Sequence, residues 1–272
     1  MKTSYKLLVL AFLSFWLILG LNACSDDSTG ADDEESCNIS LPSEFAPVTV
    51  DVSYFDSQTE PEADEAQFQT YFQVEQTARQ ANLSFGGSAV FILAPQLITF
   101  AKFTGVSPEF ENGSCVWTIS PPPSQTQGLD LTVTVRGSST ADGVNWEIIY
   151  DGDLTDGGSV QDYKILTGFT STDNSNGEWN YYLPENQSSE VLTYTWSVEA
   201  EEDYDLGVTA NPNEFGVAAI GYSKGGVQNS LTINTGDGEI EAFWDEDLDS
   251  GWIELPGESR QCYTAFRNEA CP

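Results

Sequence analysis

The stretch Val144-Asn145-Trp146-Glu147-Ile148-Ile149-Tyr150-Asp151-Gly152 decides the fold class of this chain. Seven residues rich in β-branched and aromatic side chains end on an Asp-Gly pair, which supplies turn chemistry. The same texture repeats in both directions. Upstream lie Ser114 to Ser120, the loop Pro121-Pro122-Pro123, and Leu129 to Arg136. Downstream lie Tyr163 to Thr170, Glu178 to Leu183, Val191 to Val198, Leu206 to Ala210, Val217 to Tyr222, Ser230 to Asn234, Glu239 to Trp244, and a short run at Trp252 to Leu255. Turn residues such as Asp156-Gly157-Gly158 and Asn176-Gly177 punctuate them. A spacing of about 8 to 14 residues with no helical insert predicts consecutive antiparallel strands.

The chain before Ser114 reads differently. Ala46 to Tyr54 alternates apolar and polar and predicts a first strand. From Glu62 to Ala81 acids lead, Phe68, Tyr71, Phe72, Glu75 and Ala78 fall at helical spacing, and Arg79 comes late, as a helix dipole favours. Phe85-Gly86-Gly87 ends that pattern, and Ser88 to Phe103 predicts a second, buried helix kinked or broken at Pro95. A long meander must close on itself or cover its apolar face, and the helical segment is the available cover. The expected fold is therefore mainly β: an antiparallel meander, half-open and barrel-like or alternatively a β-sandwich, packed on one or two N-terminal helices. In outline this is similar to the half-barrel lipoproteins that carry acyl chains in the bacterial envelope.

The amino terminus gives an address. Met1 to Lys6 carries two lysines and no acid, and Leu7 to Leu21 is an almost wholly apolar run. At ~1.5 Å per residue that run reaches only about 22 Å, short of the ~30 Å hydrocarbon core, so it predicts a secretory signal and not a span. Leu21-Asn22-Ala23-Cys24 resembles the lipobox of bacterial lipoproteins, with Asn22 a mild departure. The resemblance implies cleavage after Ala23 and lipidation of Cys24, whose two or three acyl chains would hold the domain to a membrane. Ser25-Asp26-Asp27, directly after the cysteine, resembles a surface-export signal of such lipoproteins, and the composition from there through the acidic run Asp32 to Glu35 also suits a solvated tether. The chain divides into a signal peptide at 1–23, a tether at 24–43, and a single β-rich domain at 44–272 with a helical segment at about 62–104.

Composition excludes whole classes of function. The formal charge of -34 repels phosphate backbones, so nucleic acid is not a partner. There is no histidine, which removes imidazole as base, metal ligand and pH switch. With Cys24 lipidated, Cys37, Cys115, Cys262 and Cys271 remain, an even set in an exported chain, and two disulfides are expected. Three pairings are open, of which Cys37 with Cys115 and Cys262 with Cys271 is preferred.

Three places could carry chemistry. Asp245, Asp247 and Asp249 alternate, and the stretch to Gly251 resembles the Asp-x-Asp-x-Asp-Gly calcium loop, although Ser250 stands at the turn glycine and Pro256 at the twelfth position. Calcium is the one cofactor this suggests. Glu239 and Glu241 would share one strand face about 7 Å apart, within the ~5 to 9 Å carboxyl separations of glycosidases. The segment loosely resembles the Glu-Ile-Asp-x-x-Glu strand of laminarinase-type enzymes, with Glu241 in place of the aspartate and the last glutamate missing. Trp179, Tyr181, Trp196 and Trp244 could form a platform for a glycan or line a site for an apolar molecule, against the plainer reading as core. The reading that results is a lipid-anchored outer-membrane or cell-surface lipoprotein, a non-enzymatic module for an unassigned ligand or partner. A carbohydrate-active hydrolase and a purely structural envelope component are the alternatives.

Overall fold

A computed structural model of the chain describes residues 37–41, 49–58, 66–87, 105–120, 130–153, 158–211 and 218–272. Cys24 and its flanking segment, the expected tether up to residue 36, the expected helix at Ser88 to Phe103 and the triple-proline loop lie outside them, whereas residues 37–41 of the expected tether are described and Leu41 is buried in the core. The described chain is mainly β and forms one fourteen-stranded sheet in which every strand pairs with its neighbours in sequence. The strands are β1 Glu109–Glu111, β2 Ser114–Ile119, β3 Leu131–Ser139, β4 Gly143–Asp153, β5 Ser159–Ser171, β6 Asn176–Tyr181 and β7 Leu192–Ala200. They continue with β8 Asp203–Ala210, β9 Ala219–Gly225, β10 Gln228–Asn234, β11 Glu239–Asp245, β12 Ser250–Glu254, β13 Gln261–Thr264 and β14 Arg267–Glu269. All pairings are antiparallel, and the sheet does not close: β1 and β14 are its edges. Both edge strands are three residues long and carry charged, exposed side chains, which suits strands with an unpaired side.

Strand alternation divides the sheet into an inner apolar and an outer polar face. One inner row runs Trp117, Val135, Ile148, Leu166, Tyr181, Leu192 across β2 to β7. The next runs Cys115, Gly137, Trp146, Gly168, Trp179, Tyr194, Val208, Ile220, Ile233 across β2 to β10. A third runs Gly177, Trp196, Leu206, Tyr222, Leu231, Ala242, Ile253 across β6 to β12. Glycine stands beside tryptophan at Gly137, Gly168 and Gly177, where the neighbouring ring lies over the glycine backbone. A Cβ on Gly168 would lie 2.2 Å from the Trp179 ring, and one on Gly177 would lie 2.3 Å from that of Trp196. This corrects the reading of Asn176-Gly177 as a turn: the pair opens β6, and the turn lies before it. Asp151-Gly152 likewise lies within β4, where Gly152 at φ +132° accompanies register shifts against β5. Such shifts bend a sheet.

Two helices cover the β11–β14 end. A five-residue helix α1 at Ser53–Ser57 stands where alternation predicted a strand, and its Tyr54 and Phe55 are both buried. The segment pairs with no strand; burial of Tyr54 and Phe55 holds it across the inner face as a short strap, with Phe55 5.3 Å from Trp244. After a 3-10 turn at Ala66–Phe68, α2 spans Gln69–Gly87 and packs on β11 to β14. Its buried side chains Tyr71, Val74, Glu75, Ala78 and Ala81 fall on one face, and Tyr71 meets Tyr263, Phe266 and Phe55 at 5.4, 4.9 and 5.9 Å. The two glycines expected to break the helix are its last residues. Arg79 ties the helices together, 2.7 Å from Glu75 on its own helix and 2.8 Å from Asp56 of α1.

Candidate functional site

The outer face of β3 to β6 carries a groove of about 390 Å³. Two adjacent rows line it. One is Arg136, Glu147, Thr167, Asn180, and the other is Ser138, Asn145, Phe169, Glu178, each member opposite the next. The strand backbone at Trp146 and Gly168 completes the lining. Arg136 and Glu147 face each other directly and pair at 2.9 Å. Ser138 shares a hydrogen bond of 2.7 Å with Ser114, and Asn180 donates to Glu178 while accepting from Thr193 at 2.6 Å. Phe169 is half-buried, and Glu178 and Asn145 are exposed. The groove thus presents donors, acceptors and one apolar ring on a rigid sheet.

A second cluster lies inside, at the turn end of β9. Lys224 is 4% exposed, and its ammonium binds Asp51 of the strap, lies 2.6 Å from Glu202 in the β7–β8 turn, and 3.7 Å from Glu246 after β11. Tyr222 donates to Asn229 at 2.6 Å, and Asn229 donates to Glu246 at 2.9 Å. Burial pulls the lysine towards neutrality, but the hydrogen bonds it donates to Asp51 and Glu202 outweigh it and hold the ammonium above its ordinary value. Burial raises Asp51 in turn, and its bonds to Lys224 and Ser53 overcome that and leave it below the usual carboxylate value. The arrangement fastens a segment of chain: the ammonium is spent on three carboxylates from three segments. Its trace in sequence is parity: Ile220, Tyr222 and Lys224 share one strand face, so the lysine stands at an inward position. Phe169 left no such trace, because the irregularity near Ile165 shifts the parity of β5.

The sequence-derived candidates fall elsewhere. Cys37 and Cys115 are joined with Cα atoms 5.4 Å apart, and Cys262 and Cys271 with Cα atoms 5.2 Å apart. Glu239 and Glu241 share the outer face of β11, whose inward residues are Ile240, Ala242 and Trp244. Arg260 lies 3.6 Å from Glu241 and 3.2 Å from Glu254, and stacks 3.6 Å over the Trp252 ring. The pair therefore stands on an open surface with one carboxylate beside a cation. Asp245 is buried: one oxygen accepts from the amides of Asp247 and Leu248, at 3.1 and 3.0 Å, and the other from Gln228 at 3.0 Å. Asp249 accepts from the Tyr54 hydroxyl at 3.2 Å. These aspartates build a hairpin turn and hold the strap. Among the described residues no three His, Cys, Asp or Glu side chains converge as a metal would require.

Trp179, Trp196 and Trp244 are buried in the core, and Tyr181 packs against it. They offer no accessible platform, because their parity points them inward. Among the described residues no helix is long and apolar enough to cross a membrane. No family model, no curated protein and no solved structure matches this chain.

Proposed function

We propose that this protein is a lipid-anchored lipoprotein of the outer membrane or cell surface whose folded domain is a non-enzymatic binding module. The ligand lies on the outer face of β3 to β6. The observation that carries this reading is the groove there: two rows of polar side chains around Phe169, on a face of the sheet that the core does not need. The lipobox-like Leu21-Asn22-Ala23-Cys24 and the acidic stretch after it support the anchor, and the charge of -34 suits a domain held in solvent beside a membrane. Against hydrolysis stands the placing of Glu241 beside Arg260 on an open strand face, where nothing shields a reacting bond from water.

Two measurements test the reading. Cells fed a clickable palmitate analogue should label the wild-type chain and not Cys24→Ala, and a label that survives the substitution refutes the anchor. Incubation with polysaccharides should release no reducing sugar, and release that disappears in Glu241→Gln would establish the hydrolase instead.

A further inference from the structure

We propose that the groove over β3 to β6 is a subsite for an uncharged glycan, with the Phe169 ring as its stacking face. This rests on the groove being where the ligand binds.

Charge narrows the ligand first. The chain's -34 disfavours anions, and the groove's lone cation, Arg136, is already occupied by Glu147 across the strand pair. A cationic ligand would meet only Glu178 as an acid without an ion pair among the lining residues, and it is an exposed carboxylate that already accepts from Asn180. In water such an attraction is weak and screened.

Uncharged hydrogen-bonding capacity makes up the rest. Asn145 offers an amide, both donor and acceptor, and Ser138, Thr167 and Asn180 keep hydrogen-bonding capacity beyond their bonds to Ser114, to Tyr182, and to Glu178 and Thr193. Sugar hydroxyls have the same double character. An apolar ligand would strip water from these groups and return nothing.

Shape agrees with this. Phe169 is the aromatic of the lining that points outward, since Trp146 belongs to an inner row and donates its indole N–H to Thr170 at 2.9 Å. A flat ring with a negative face suits the C–H-lined face of a pyranose, while the flanking Asn145 and Glu178 stand one strand away on either side to meet its equatorial hydroxyls. The volume of about 390 Å³ lies at the small end of ligand pockets, about 300–1,000 Å³, and suits one or two sugar rings of a longer chain.

The test uses the full chain in detergent, with the side-chain amide signals of Asn145 and Asn180 reporting occupancy by NMR. The probes are a panel of neutral hexasaccharides of differing linkage, a hexauronate, and a lysine-rich hexapeptide. At least one neutral member should shift both amides and saturate. Phe169→Ala should weaken it at least tenfold while Phe169→Trp retains it, and the hexauronate should bind at least tenfold more weakly. Phe169→Trp keeps an aromatic ring in place should the alanine variant fold poorly. Neutral binding indifferent to the loss of the ring overturns the stacking face. Shifts caused by the uronate or the peptide alone overturn the ligand class and leave the groove standing. Amides unmoved by every probe overturn the groove itself.

Discussion

Replacing Lys224 by Met keeps the length of the side chain and deletes its charge, which strands three carboxylates. Breaking a buried ion pair by removing one partner costs about 3–5 kcal/mol. Here Lys224 is 4% exposed, but Asp51, Glu202 and Glu246 are 22%, 64% and 23% exposed, so water reaches them and takes up part of the penalty. A loss of about 2–3 kcal/mol is the discounted expectation. At about 2–4 °C per kcal/mol for a domain of this size, Tm should fall by about 4–12 °C. Calorimetry of the wild type, Lys224→Met, Asp51→Asn and the double variant measures this. Removing Asp51 as well should recover at least about 1 kcal/mol of the summed single losses, because one of the three stranded charges is then gone. Hydrogen exchange should rise first in residues 49–58. The pH dependence has a definite sign. Asp51 sits below its ordinary 3.8, so its contribution is present above that pH and is lost as pH falls through the lower folded value. Lys224 sits above its ordinary 10.5, so its contribution is complete below that pH and is lost as pH rises through the folded value. The strap should therefore be held evenly through neutrality. Strict additivity in the cycle, or a Tm for Lys224→Met within 1 °C of wild type, refutes the role of the latch.

The glycines give a matched pair. Gly168→Ala places a methyl 2.2 Å from the Trp179 ring and 2.6 Å from the Glu178 carbonyl, whereas Gly221→Ala meets nothing within 4 Å. Urea unfolding should show a loss of about 1–3 kcal/mol for the first and little change or a slight gain for the second. Equal effects would mean that tryptophan packing does not dictate those glycines. At the β5–β6 turn, hydrogen bonds from the amide and hydroxyl of Ser175, and then from Ser171, pull the Asp173 carboxyl down to about 2. An NMR titration should find it there, and Ser175→Ala should return it towards 3.8.

The meander was legible because alternation and turn chemistry agree over most strands. What escaped was short or charged: β1, β13 and β14 have three or four residues each and too few apolar positions to declare a period. Asn176-Gly177 and Asp151-Gly152 misled for a physical reason. Glycine marks turns, but it also marks the places where a facing tryptophan leaves no room for a Cβ, and sequence alone does not separate the two. Ala46 to Tyr54 alternates like a strand, yet its described part, from residue 49 on, pairs with no strand and turns into a short helix at Ser53–Ser57. The same parity that built the core carried Trp179, Trp196 and Trp244 away from the surface. Counting aromatics without fixing their parity overstated the platform, and the shift in β5 hid Phe169, the ring that does face out.

The topology also explains why so much non-local order rests on a few contacts. With every strand paired to its neighbours in sequence, the sheet is assembled from hairpins, and the loops its ladders close are short. Ties across long stretches of chain come instead from the N-terminal side. Cys37 reaches Cys115 over 78 residues, Asp51 reaches Lys224 over 173, Tyr54 reaches Asp249 over 195, and the Thr70 amide reaches Asn268 over 198. The first fixes the incoming chain to the β2 end, and the others fix it to the β9–β14 end, so the N-terminal segment links two ends of the sheet that are not paired to each other. In an open sheet of nearest-neighbour strands, edges can fray one hairpin at a time unless such ties couple them. A pull on the tether would then meet the Cys37–Cys115 bond before it reached Asp51. Were the chain anchored through Cys24 as proposed, that load would reach the disulfide before the latch that holds the inner face together.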